Sequence, residues 1–237
     1  MIAGSRGRLW IAVALVLGAG CTPTDSAAVT TANLRADVQV LSTGLGGSTV
    51  SAWLFSHHAG DPPLNFETIR LVDQDVISAA SNGHSVVMDE SDLVVEYRYD
   101  AAFDTAEAGQ GFEVSLDRVA DASARHSTVT LPEPFTVTMP TTASRGAPLT
   151  ITWSPSGSAD PISLHLTGCA DAQLLAIADT GTTTFPAGAL AADPPTATCD
   201  LSVEVSRTRA GSLDPAYGQG GSIVATQQRT TTLTSTP

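Results

Sequence analysis

From Leu34 onward, apolar and polar residues alternate with a period of two in short runs, the pattern of strands with one buried face. Ala36–Ser42 sets Val38 and Val40 on one side, and Ser48–Phe55 follows after a Gly44-Leu45-Gly46-Gly47 turn. Phe66–Val72, the pair VISAAS and HSVVM about Asn82-Gly83, Asp92–Tyr99, Gly111–Val119 and Ser127–Leu131 continue the series. Asn-Gly between two such runs is a two-residue hairpin signal. Asp92–Tyr99 is the clearest candidate for a central strand. Ala101–Gly109 is the one stretch compatible with a turn of helix. Pro132 and Pro134 then punctuate the chain, and the rhythm resumes with Phe135–Met139, Pro148–Trp153, Ile162–Gly168, Gln173–Ala178, the alternating Leu201, Val203 and Val205, and a last strand over Ser222–Leu233. No segment sustains a 3.6-residue period.

About seven short strands per half, separated by turn residues, predict an all-β protein of two tandem immunoglobulin-like β-sandwiches. The expected divisions are 1–20 for a leader, 21–33 for a flexible tether of small polar residues, 34–132 for the first sandwich and 133–237 for the second. A loose internal repeat supports two units. TIRLVDQDVISAASNGHSVV aligns with SLHLTGCADAQLLAIADTGTTT, FEVSLDR with LSVEVSR, and STVTL with RTTTL.

The opening segment has a different pattern. Arg6 and Arg8 precede an uncharged run from Leu9 to Gly20. As a helix this run is about 18 Å long, short against a hydrocarbon core of about 30 Å. A basic start, a short apolar run and small residues before a cut describe a secretory signal peptide. Gly18-Ala19-Gly20-Cys21 resembles the lipobox of bacterial lipoproteins, although Gly18 stands where that family prefers Leu. The resemblance implies that Cys21 is the first mature residue, is lipidated on its thiol, and joins the protein to a membrane. Thr22, in the place where an aspartate would signal inner-membrane retention, favours the outer membrane. Each buried methylene contributes about 0.8 kcal/mol, so two or three acyl chains suffice as an anchor. The strand rhythm beside this leader is similar to envelope lipoproteins that carry immunoglobulin-like domains.

Charge and composition narrow the rest. The net charge is -13, with 24 acids and 11 basic residues, all of them arginine. Such a chain repels nucleic acid, and the lack of lysine removes Schiff-base and P-loop chemistry. Of three cysteines, Cys21 is spoken for by the lipobox. Cys169 and Cys199 form an even pair in an exported chain and predict a disulfide. Trp153 precedes both, so the bridge between sheets of antibody domains is not implied; Trp153 is expected to fill core.

No catalytic signature emerges. Neither G-x-S-x-G nor a phosphate-binding glycine motif occurs. His57 and His58 are adjacent without a third ligand set by spacing, whereas zinc needs three or four. His84, His126 and His165 are isolated. The carboxylates Asp73, Asp75, Asp89, Glu90, Asp92, Asp100, Asp104 and Glu107 lack the spacing of an EF-hand loop. The expectation is a membrane-anchored envelope protein with a non-catalytic binding or structural role, no metal and no cofactor. Its partner would be an envelope protein or a glycan. The alternative is an exported hydrolase whose site is assembled from distant residues.

Overall fold

The computed structural model describes residues 24–56, 67–92, 97–169, 172–190 and 197–237. Its elements are almost all strands. In chain order they are β1 (Thr24–Asp25), β2 (Leu34–Ser42), β3 (Ser48–Ser56), β4 (Glu67–Arg70), β5 (Val76–Ser81), β6 (His84–Val87), β7 (Asp89–Asp92), β8 (Tyr97–Phe103), β9 (Gly111–Asp117) and β10 (Ala124–Thr130). The second half contributes β11 (Thr136–Thr138), β12 (Thr142–Ser144), β13 (Leu149–Ser154), β14 (Ile162–Gly168), β15 (Ala172–Ile177), β16 (Thr182–Phe185), β17 (Cys199–Ala210) and β18 (Gly221–Thr236).

Both halves are sandwiches with the strand order of an immunoglobulin-like domain. In the first, β2, β3, β8 and β7 form the A-B-E-D sheet. The facing sheet runs β6-β5-β9-β10, in the C′-C-F-G positions. In the second, β11-β13-β16 is the A-B-E sheet, and β12, β18, β17, β14 and β15 form the other. Strand A of this unit splits. Its first part, β11, pairs with β13, and its second part, β12, runs parallel to β18.

The alternation in the sequence explains the packing. Along β2 every other residue is buried, with Leu34, Ala36, Val38 and Val40 facing the first core. Phe112, Val114 and Leu116 face it from β9, and Leu201, Val203 and Val205 face the second core from β17. Asn82 and Gly83 both have positive φ, as the tight β5–β6 hairpin requires.

The sequence repeat maps onto this order in part. FEVSLDR and LSVEVSR occupy the same F position, β9 and β17, while STVTL and RTTTL fall on the G strands β10 and β18. The first alignment is displaced by one strand. It sets β4 against β14, whereas the counterpart of β14 is β5. Two other expectations shift. Ala101–Gly109 forms no helical turn: β8 continues to Phe103, and the residues after it form a loop. The single strand expected at Asp92–Tyr99 is instead two: Asp92 ends β7 and Tyr97 begins β8, antiparallel neighbours that pair these two residues, so the apolar run crosses from one strand to the next; 93–96 lie outside the described residues.

Two corrections bear on domain organisation. The first is that the described part of the expected tether, residues 24–33, is packed. Thr24 and Asp25 pair with Ile69 and Arg70 of β4. Two 3-10 turns follow, and Ser26, Val29 and Thr31 are buried. The Arg118 guanidinium donates to the Ser26 and Val29 carbonyls, and the Thr31 N–H donates to Asp121. Small polar residues look loose in sequence, but their backbone groups are satisfied by partners some 90 positions away.

The second correction concerns the boundary near Pro132. The first core also includes Tyr217, Ile223 and Ala225. Residues Gly221–Gln227 of β18 pair in parallel with Ala36–Ser42 of β2, while the second half of the same strand pairs with β12. The β17–β18 hairpin, 12 and 16 residues long, therefore runs through both sandwiches. Residues 34–132 do not make the first sandwich complete.

Candidate functional site

A groove of about 560 Å³ lies where the first sandwich meets the β17–β18 connection. Four separate segments build it: the end of β5 with its hairpin turn, the start of β9, the end of β10, and Ala210–Ser212. The single methyl of Ala80 and the bare backbone of Gly111 leave room in the lining. Gly211 closes one wall, and its backbone lies so near Thr128 that a Cβ there would sit 2.1 Å from the Thr128 carbonyl oxygen. Thr128 and Ser212 exchange backbone hydrogen bonds of 2.8 Å across this wall.

The polar groups in the groove are partly committed. Ser81 Oγ donates to the Gly111 carbonyl, and the Asn82 amide donates to Gln110. Glu113, exposed, pairs with His126 Nδ1 at 3.2 Å. The lining thus offers one carboxylate, the Asn82 amide, serine and threonine hydroxyls and backbone groups. Phe112 is the one aromatic in the lining, and it is buried. Hydrogen bonding to a polar partner is within reach of this set. An aromatic stacking platform is not.

Sequence-predicted residues fall as follows. Cys169 and Cys199 are bonded, with Cα atoms 5.8 Å apart. The bridge joins the end of β14 to the start of β17, neighbours in one sheet, rather than crossing between sheets. Trp153 is buried in the second core. Cys21, His57 and His58 lie outside the described residues. His165 is half-buried, on the face of β14 opposite Leu164 and Leu166. His84 lies edge-on to Phe103. Among the described residues the acidic cluster does not gather into one site. Asp75 is taken up by Arg118, and Asp100 by Arg98, Ser51 and Ser91. Among the described residues, no group of three or more His, Cys, Asp or Glu is arranged to hold a metal ion.

The strongest polar interactions went unnoticed in the sequence. Arg207, fully buried, pairs with buried Asp179 at 2.7 Å, donates to the Glu133 and Pro155 carbonyls, and sits 5.0 Å from the Phe135 ring centroid. Asp179 also accepts from Trp153 Nε1 at 2.5 Å and from the Ser158 N–H. Arg118 and Asp75 form a comparable pair in the first sandwich at 2.6 Å. The signal was available. Arg118 continues the inward series Phe112, Val114, Leu116, and Arg207 continues Leu201, Val203, Val205. Period two places both guanidiniums inside, at the same point of equivalent strands. Arg209 joins the sandwiches: it pairs with Asp160 of the second and donates to Thr130 and Leu131 of the first. The hydrogen bonds from Arg209 hold the Asp160 carboxyl below the usual carboxylate range, against the opposing effect of burial.

No protein-family model matches the chain, and no curated protein does. Fifty chains of solved structures match. The chicken CNTN1 FN1-FN3 domains are similar at 10% identity with a TM-score of 0.32, over 92% of this chain and 69% of that one. The Yersinia pseudotuberculosis adhesin InvE matches at 13% identity and TM-score 0.21, over 86% of this chain and 59% of its own. SGBP-B of the Bacteroides ovatus mixed-linkage glucan utilization locus, in complex with a mixed-linkage heptasaccharide, matches at 8% identity and TM-score 0.22, over 86% and 60%. At such TM-scores the architecture rests on the strand order of the chain itself.

Proposed function

We propose that this chain is a lipoprotein of the cell envelope, held to a membrane through lipid on Cys21, whose two sandwiches bind or scaffold without catalysis. The observation that carries this reading is the segment Leu9–Cys21: a basic start, a short apolar run and Gly18-Ala19-Gly20 before a cysteine. The disulfide lends support, because Cys169 and Cys199 are bonded to each other and Cys21 is the cysteine left over from three. Thr22 favours the outer membrane. The groove beside Glu113 and Thr128 suits a polar partner, an envelope protein before a glycan, since its lining offers no exposed aromatic ring.

The test is a Cys21→Ala variant expressed in a bacterial host with labelled palmitate. Label and membrane fractionation are both expected to be lost. A variant that keeps both overturns the anchor. Hydrolysis of an ester, peptide or glycan by the purified protein, abolished by one substitution, would overturn the non-catalytic role.

A further inference from the structure

The junction between the leader and the packed N-terminal segment carries a consequence for how the protein stands on its membrane. Cys21 and Thr24 are three peptide units apart, a reach of at most about 11 Å. Thr24 is already paired with β4, and the segment behind it is held by Arg118, whose guanidinium is itself locked to Asp75. There is no spacer. Lipid on Cys21 would bring the adjoining end of the first sandwich to the membrane surface.

The described residues of that end include 26–33, 71–75, 118–123 and 217–220. Val119, 68% exposed, projects from it beside exposed Ala120 and Ala122, and the Val119 N–H is held by Asp75. Ala27, Ala28 and Ala32 are exposed nearby on the packed segment. Arg118 within this end and Arg70 beside it are both paired with aspartates. The surface therefore mixes exposed Ala and Val side chains with the exposed Asp73 and Gln74 and has no free cationic group on its described residues, which suits a zwitterionic bilayer better than an anionic one.

We propose that this end of the first sandwich lies against the bilayer, with Val119 at the contact, and that the second sandwich is the end presented outward. The proposal rests on lipidation of Cys21. The start of β18 lies at the membrane end, where the Gln219 N–H donates to the Leu34 carbonyl and Gly221 pairs with Ala36. From there its 16 residues extend about 50 Å. Its far end pairs Ser235 with Cys199, so the disulfide marks the outer tip.

The experiment uses the full lipidated protein in phosphatidylcholine vesicles that carry a bilayer-embedded nitroxide quencher. Cys21 is acylated and the other cysteines are bonded, so a single added cysteine takes the fluorophore. Val119→Cys labels the proposed contact. Ala147→Cys, exposed in the loop after β12, labels the outer tip. Flotation of each labelled protein with the vesicles reports the anchor separately. For floated protein, quenching several-fold stronger at position 119 than at 147 is expected. Equal quenching at the two positions, or stronger quenching at 147, overturns the orientation while leaving the anchor standing. Failure to float would overturn the anchor instead.

Discussion

A chain ending at Pro132 should not fold as a stable domain, although sequence punctuation places a boundary there. Such a truncation removes Tyr217, Ile223 and Ala225 from the first core. Burial of a large apolar side chain contributes about 1.5–3 kcal/mol, so Tyr217 and Ile223 together account for roughly 3–6 kcal/mol. The cut also strips the ladder between Gly221–Gln227 and Ala36–Ser42, leaving β2 an open edge. A single domain has about 5–15 kcal/mol of net stability. Residues 24–132 alone should therefore be marginal or unfolded. Fusing residues 211–228 to their C-terminus through a linker should restore cooperative thermal unfolding, followed by circular dichroism. If the unfused fragment melts cooperatively at the temperature of the fused one, β18 does not complete the first sandwich and the reasoning fails.

Other consequences can be measured on the whole protein. Gly221 has φ +121°, and a Cβ there would lie 1.9 Å from the Ala36 carbonyl oxygen; Gly221→Ala should lower the melting temperature and open the β2–β18 ladder to amide exchange, and an unchanged melt would refute this. Asp179→Asn leaves the fully buried Arg207 charge without its counterion, a loss of about 3–5 kcal/mol in denaturant titration. Replacing both Cys169 and Cys199 by serine frees a loop spanning 30 positions, and about 3–4 kcal/mol should go with it in the chain-entropy model. Acid should destabilise through Asp160 and Asp121, whose carboxyls are held below the ordinary range by Arg209 and by the Thr31 N–H respectively. A depressed folded-state value means this stability is present above the unfolded value of about 4 and is lost as pH falls through the folded values; in Asp160→Asn the acid decline should be shallower.

Much of the fold was legible because a strand announces itself locally. Alternation located β2, β3, β9, β13, β14 and β17, and Asn82-Gly83 located a hairpin. What escaped was pairing between distant parts of the chain. Ala36 and Gly221 are 185 positions apart, and nothing near either residue marks a parallel ladder between them. One clue was length. Strands are typically five to six residues long, whereas β18 runs for 16, more than a single small sandwich needs. The packed segment 24–33 escaped for a related reason: its partners, Arg118 and Asp121, lie in a loop far along the chain.

The candidate sites divide along the same physical line. The proposed signal at Leu9–Cys21 is legible because a segment of that kind would be recognised through residues that are contiguous in the chain. The groove beside Glu113 has no such constraint. Its walls come from residues 80–83, 111–113, 128–130 and 210–212, brought together only once β9, β10 and the β17–β18 connection have paired. Arg118 and Arg207 lie between these extremes. Arg207 is placed inside by the period of β17, and Arg118, one residue past β9, by the same period continued, but the aspartate that makes burial tolerable comes from elsewhere, Asp75 some 43 positions before Arg118 and Asp179 some 28 before Arg207. An arginine at an inward position of an alternating strand is therefore a sequence-level demand for a buried acid, and here that demand points to the stabilising ion pair of each sandwich rather than to a catalytic centre.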